Sequence, residues 1–241
     1  MSRCFITLLV VSVALLSSLT SSAVRLTLAV PISKKNMLTE MSQAVLSEAA
    51  RRLGDELIFE PLPQERALVN INAGVLDGDS LHSVDLDLKP YPNLVRVRVP
   101  IAYDDLVAYG IGKVFKPAGL ASLKPYKVVT IRIKELEQLG PEYRFTFVAS
   151  NDQAFNMLRL GRVDLAVLPR SVSCEAVHAG YNEILVQEPA LEHVEFVAHL
   201  HKSHAGLARE MERTLLQMKK DGSMARIQNE VHRKWSRCNP D

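Results

Sequence analysis

The 241 residues can bury one or two modest hydrophobic cores. At 47% apolar and 23% charged, the composition is that of an ordinary globular chain and excludes a disordered or low-complexity one. Residues 1–23 read as a removable leader; without Arg3 the 29 Lys+Arg fall to 28 against 27 Asp+Glu, and that near-neutral balance argues against a nucleic-acid or anionic-membrane partner held by bulk charge.

The leader has three parts. Arg3 is a weak positive n-region, Ile6 to Leu16 is the apolar h-region, and Ser21-Ser22-Ala23 is a small-residue cleavage site. This predicts secretion with cleavage after Ala23. The apolar run is short for a membrane span of about 20 residues. Cys4 precedes it and does not occupy a lipoprotein cleavage position. No second run is long enough to cross a bilayer, so stable membrane insertion is not expected. Cys174 and Cys238 are the only mature cysteines. In an oxidising compartment a bridge between them and two unlinked thiols both fit.

Along the mature chain, Val24 to Val30 alternates and is β-rich, which predicts a strand. Pro31 to Lys35 is the loop leaving it. Leu38, Met41, Val45 and Ala49 follow at helical spacing, and Gly54 ends the helix. Glu56 to Glu60 is a second strand and Gln64 to Ala73 a second helix. Gly78 to Ser83 is polar and reads as a loop. Leu94 to Pro100 alternates as a strand. Leu106 to Gly112, extended and with two glycines, reads as a crossing into a second lobe. Ala118 to Leu123 is a short connector.

Tyr126 to Ile131, Tyr143 to Val148 and Val163 to Leu168 then read as strands, with helices between them. Ser171 to Gly180 reads as a helix, Glu183 to Val186 as a short strand, and Val194 to Leu200 as the strand leading back. Two helical stripes close the chain: Leu207, Met211, Leu215 and Met218, then Met224, Ile227, Val231 and Trp235. Both are expected to pack on the first lobe.

One pattern occurs twice. Gln64 to Gly78 and Asp152 to Leu165 each read as a short helix, a stopping glycine (Gly74, Gly161), two residues, and an aspartate (Asp77, Asp164) opening the next segment. The flanking elements match as well, so each half reads β-α-β-α-β. The fold class is therefore α/β with two lobes joined by two hinge segments. Lobe I takes 24–107 and 194–241, and lobe II takes 108–193.

In open α/β sheets, ligands bind outside the carboxyl ends of the strands. The loops at that edge carry Glu65, Arg66, Asp79 and His82 in lobe I, and Arg132, Ser150, Asn151 and Arg170 in lobe II. The arginines suit a carboxylate, because the planar guanidinium pairs two oxygens at once. Glu65 and Asp79 suit an ammonium group. Ser150 or Asn151 also reads as a plain helix N-cap, Glu65 and Arg66 as an exposed first turn, and Asp77 and Asp164 as ties from the glycine turn to the strand start.

No nucleophile elbow, phosphate-binding glycine loop or His-Glu-x-x-His motif is present, so no catalytic residue and no cofactor is expected. His199 and His201 share a strand face within the cluster His193, His199, His201 and His204. No Cys or carboxylate at familiar spacing completes a zinc site there, and the expectation is no metal.

In order, the chain carries Leu62-Pro63-x-Glu65-Arg66-Ala67, Gly74-Val75-Leu76-Asp77-Gly78-Asp79 and Tyr91-Pro92-Asn93-Leu94-Val95-Arg96-Val97. Further on stand Met157-Leu158-x-x-Gly161-Arg162-Val163-Asp164 and Met218-Lys219-Lys220-Asp221-Gly222-Ser223. With these it resembles family 3 of the bacterial periplasmic solute-binding proteins, the polar amino-acid-binding type. The resemblance covers nearly all of the mature chain. It implies a monomeric, non-enzymatic periplasmic protein whose two type II lobes close on a small polar solute. Such a protein delivers its solute to an ABC-type permease or feeds a sensor.

Two departures set the chain apart. The Thr-x-x-Arg motif usual after the first-lobe aspartate is replaced by Asp87-Leu88-Lys89-Pro90. The aspartate usual after the second-lobe strand is replaced by Pro169-Arg170-Ser171. These changes place the chain in a divergent branch and point away from a plain α-amino acid; His82 and Arg170 point instead to a different, acidic solute. A periplasmic metal-dependent hydrolase using the histidine cluster is the rival reading from another class.

Overall fold

A parallel β-α-β-α-β unit builds each half. The computed structural model describes residues 24–31, 36–112 and 115–236. The leader, most of the first strand-to-helix loop, and Cys238 lie outside these residues.

In the first half, β1 (Arg25–Pro31) is flanked by parallel β2 (Glu56–Leu62) and β3 (Gly78–Ser83). The connecting helices are α1 (Met37–Leu53) and α2 (Gln64–Asn72). Asn36 caps α1 by accepting the Thr39 N–H at 2.8 Å, and Gly54 ends it in the left-handed conformation. β4 (Leu94–Arg96) and β5 (Ala102–Ile111) follow. The strand expected over Leu94 to Pro100 is thus only three residues long; one further bond, Val97 N–H to the Ala198 carbonyl, precedes Pro100.

The second half repeats the plan. β6 (Lys127–Ile131) lies between parallel β7 (Arg144–Val148) and β8 (Leu165–Pro169). Its helices are α3 (Lys134–Glu137) and α4 (Asn151–Arg159). The orders β2-β1-β3 and β7-β6-β8 correspond strand for strand.

The repeat holds at the level of single hydrogen bonds. After α2, Gly74 N–H meets the Ile71 carbonyl and Val75 N–H the Asn70 carbonyl; after α4, Gly161 bonds Leu158 and Arg162 bonds Met157 in the same way. Both glycines have positive φ, as this helix ending requires. Asp77 Oδ2 then accepts the Thr27 N–H, and Asp164 Oδ2 the Lys127 N–H, each at 2.7 Å. Each aspartate therefore clasps the start of the next strand to the central strand of its half.

Behind β8 the chain makes a 3₁₀ turn (Arg170–Val172) and the short helix α5 (Ser173–His178). The helix expected over this stretch begins as the 3₁₀ turn and continues directly into α5; the Ser171 N–H, in the first turn, donates to the Asp104 side chain. β9 (Ile184–His201) is one strand of 18 residues, where two separate strands were expected. The cis peptide bond Glu188-Pro189 lies within it, in the stretch between Gln187 and Glu192 where the pairing with β5 skips.

β5 and β9 run antiparallel through both halves. The far part of β9 pairs with β3, and the far part of β5 pairs with β8. The ladder order is β2-β1-β3-β9-β5-β8-β6-β7, with β4 on β9. The β5–β9 register shifts once, between Leu106 and Ala108, opposite the stretch from Glu192 to Gln187.

Two helices finish the described chain, α6 (Ala205–Lys220) and α7 (Ser223–Ser236), and both pack on α1 of the first half. The first-half core joins Leu28, Val45, Leu46, Ala198, Met211 and Leu215. The second half has a core on each side of its sheet, Tyr109, Phe155 and Leu158 on one side and Leu123, Leu136 and Leu165 on the other.

Asp77→Ala removes the clasp on β1 and also the 2.9 Å contact to His204 Nε2. Urea titration is expected to show a loss of about 1–2 kcal/mol. A loss below about 0.3 kcal/mol would show that the clasp does not fix the strand.

Candidate functional site

The segment expected to be a polar loop is the most deeply placed strand of the first half. β3 is buried along Gly78 to Leu81, and a side chain at Gly78 would strike the His199 backbone and Leu28. Asp79 is 2% exposed and His82 is 9%.

In a regular strand, residues three apart face opposite sides. Here Asp79 opposes His199 and His82 opposes Val197, so β3 carries one extra residue. This bulge brings the two side chains together. His82 Nδ1 lies 2.6 Å from Asp79 Oδ2, and Asp79 Oδ1 accepts the His199 N–H at 3.1 Å.

The charges follow from this geometry. Burial works against the Asp79 carboxylate, but His82 and His199 outweigh it and hold its pKa well below the usual range. Burial likewise works against a charged His82, and the Asp79 carboxylate outweighs it, so the imidazole pKa is raised. The result is a buried Asp79–His82 ion pair.

Asp79, His82 and His199 offer ligand atoms within 4.8 Å of one another, the only such set among the described residues. Against a metal stand the direct 2.6 Å contact and the Arg96 guanidinium, whose Nε lies 3.4 Å from His199 Nε2. A positive neighbour disfavours a cation. His201, the other imidazole considered from sequence, sets its Nδ1 2.7 Å from Ser203 Oγ.

The remaining sequence-derived residues, Arg170 apart, fall in three places. Glu65 and Arg66 are exposed in the first turn of α2. Arg132 is exposed and pairs with Glu137 at 2.6 Å. Ser150 caps α4 by accepting the Gln153 N–H, and Asn151 Nδ2 donates to Glu175 at 2.9 Å. Asp79 and His82 do not join this group; they belong to the first-half sheet.

Arg170 stands at the point where β5 and β9 pass between the halves. Its Nε donates to Asp105 at 2.9 Å, and Nη1 and Nη2 grip Glu188 at 2.7 and 3.1 Å. His193 Nδ1 meets the other Asp105 oxygen at 2.9 Å. Burial opposes the Asp105 charge, but His193 and Arg170 prevail and the carboxyl pKa falls. Next to this network is a cavity of about 240 Å³, walled by Met37, Tyr103, Asp104, Ser171 and Trp235 among others.

Sequence reasoning did not single out Asp104, Asp105 or Glu188. The available signal was the adjacent acidic pair of Tyr103-Asp104-Asp105, directly before the expected crossing segment. Cys174 is a disulfide cysteine.

These features define a two-lobed type II periplasmic-binding-protein fold. Solved structures share it at low identity. The probable amino-acid ABC transporter extracellular-binding protein ytmK of Bacillus subtilis aligns with TM-score 0.71 and 14% identity, over 87% of this chain and 98% of that one. The L-cystine solute receptor of Neisseria gonorrhoeae, in its unliganded open conformation, aligns with TM-score 0.64 and 13% identity, over 86% and 92%. A histidine kinase sensor domain with similarity to periplasmic binding proteins aligns with TM-score 0.63 and 14% identity, over 87% and 95%. No protein-family model matches the sequence, and no curated protein matches it.

The ion pair has a pH signature. Because the His82 pKa is raised, its contribution is complete below the ordinary value of 6.5 and is lost as pH rises through the folded value. Because the Asp79 pKa is lowered, its contribution is complete above 3.8 and is lost as pH falls through the folded value. The stability advantage of the native chain over His82→Gln should therefore shrink as pH is raised from about 6 to 9. A constant difference across that range would contradict the pairing.

Proposed function

We propose that this chain is a secreted, periplasmic solute-binding protein that closes on a small polar solute between its lobes. The observation that carries this reading is the sharing of β5 and β9. Among the described residues only these strands run through both halves, their register shifts once, and the cavity lies beside that shift. A solute touching both halves would stabilise the closed form of such a hinge. The lobe boundaries at 107/108 and 193/194 are part of this proposal.

The proposed contacts are Glu65 and Arg66 from the first lobe and Arg132, Ser150 and Asn151 from the second. Delivery to an ABC-type permease is the favoured role, in keeping with the amino-acid transporter protein and the cystine receptor among the structural neighbours. Sensing is the second reading, because a histidine kinase sensor domain shares the fold. Binding and closure require no catalysis. Among the described residues no helix is long and apolar enough to cross a membrane.

We also assign Cys238 as the partner of Cys174. The Trp235 carbonyl lies 3.2 Å from Cys174 Sγ, which places the end of α7 against the second half three residues before Cys238. Such a bridge would tie the chain terminus to α5 close to the hinge.

A thermal-shift screen of amino acids, dicarboxylates, polyamines and short peptides should yield a solute that raises the melting temperature. At a hundredfold excess over its dissociation constant it would add about 2.7 kcal/mol. Arg66→Ala or Arg132→Ala should weaken that solute about tenfold. Normal binding by both variants would refute the cleft assignment.

Peptide mapping without reductant should recover Cys174 linked to Cys238. Cys174→Ser should cost about 2–4 kcal/mol of stability. Two titratable thiols in the native protein would contradict the bridge.

A further inference from the structure

We propose that the groove beside β4 is a second binding site, separate from the inter-lobe cleft, and that it takes a medium-chain aliphatic carboxylate. The groove has a volume of about 430 Å³ and is walled by Val84, Leu88, Leu94, Val95, Arg96 and Arg98. All of these belong to the first half, and none is among the residues proposed above to meet the cleft solute.

The alternation along β4 and just beyond it builds the rim. Val95, Val97 and Val99 turn into the first-half core, so Leu94, Arg96 and Arg98 stand on the opposite face. There Leu94 joins Leu68 and Ile71 of α2 in an apolar cluster, with Leu88 packed against it. The groove therefore has an apolar floor that continues into the protein and two guanidinium groups above it.

Neither guanidinium has a carboxylate partner among the described residues. Arg96 is held by a carbonyl and an imidazole: its Nη2 donates to the Leu86 carbonyl at 2.6 Å, and its Nε lies 3.4 Å from His199 Nε2. Glu212 Oε1 accepts the backbone N–H of Arg98 at 2.7 Å, which ties this strand to α6. The Arg98 side chain is exposed and makes no hydrogen bond or ion pair among the described residues. Asp87, next to Leu88, turns its Oδ1 back to the Lys89 N–H.

The two charges select an anion, and the floor selects its body. A guanidinium pairs both oxygens of a carboxylate, and an arginine already fixed in place loses little freedom in doing so. The volume falls within the range of about 300–1,000 Å³ usual for small-molecule sites. A short polar anion would leave Leu88 and Leu94 uncovered, and an aliphatic amine would set its charge against two arginines. A carboxylate with an aliphatic tail meets both parts of the groove.

The test uses the mature chain, calorimetry and four probes: butanoate, hexanoate, octanoate and octylamine. Octanoate should bind below millimolar concentration, and octylamine should not bind. Affinity should rise from butanoate to octanoate by up to about fourfold for each methylene buried. Arg98→Gln, at an exposed position, should weaken octanoate about tenfold. Leu88→Ser should flatten the dependence on chain length. Arg66→Ala and Arg132→Ala, which alter the proposed cleft, should leave octanoate binding unchanged.

Failure of octanoate to bind would overturn the proposal, as would equal binding of octylamine or an affinity that does not change with chain length. Unaltered octanoate binding in both Arg98→Gln and Leu88→Ser would do the same. Loss of octanoate binding in Arg66→Ala or Arg132→Ala would put the carboxylate in the cleft and remove the second site, while leaving the cleft reading intact.

Discussion

Two strands are hydrogen-bonded into both halves at once, and the rest of the molecule is arranged around that sharing. β9 gives its last residues to β3, β5 gives Leu106 to Tyr109 to β8, and the two pair with each other along the whole of β5. Each half is therefore closed around its own core and yet joined to the other by backbone bonds. The register between them shifts once, between Leu106 and Ala108. The ion pairs at that place, Arg170 with Asp105 and Glu188, link the second half to both crossing strands.

The first half carries polar residues where a sheet usually carries apolar ones. Asp79, Ser80, His82 and His199 are all buried. A pair of opposite charges inside a protein is seldom a net source of stability, but it penalises any arrangement that separates the partners. The β3 bulge is the device that aligns them. Slipping β3 against β9 by one residue would take Asp79 away from the His199 N–H and imidazole on the neighbouring strand. The cluster thus serves register more than strength, and it fixes the lobe that α1, α6 and α7 cover.

The repeated unit was legible in the sequence because its determinants are local. Gly74 and Gly161 need positive φ, and Asp77 and Asp164 bond backbone next to their own strands. The capping role of Ser150 was legible for the same reason. β3 was not, since Gly78 to Ser83 has no apolar pattern and its partner His199 lies 120 residues away. Pro189 and its acidic neighbours hid the continuity of β9. At the site, the residue types were read more accurately than their partners. Arg170 has the reach of a ligand clamp, but Asp105 and Glu188, both distant in sequence, take its guanidinium.

Small-angle X-ray scattering on the mature chain, alone and saturated with the solute that binds it most tightly, tests the central claim most directly. A compact chain of this length has a radius of gyration of about 17 Å. Hinge closure predicts a smaller radius and a narrower distance distribution with solute than without. A saturated protein whose scattering curve superimposes on that of the free protein would contradict the account.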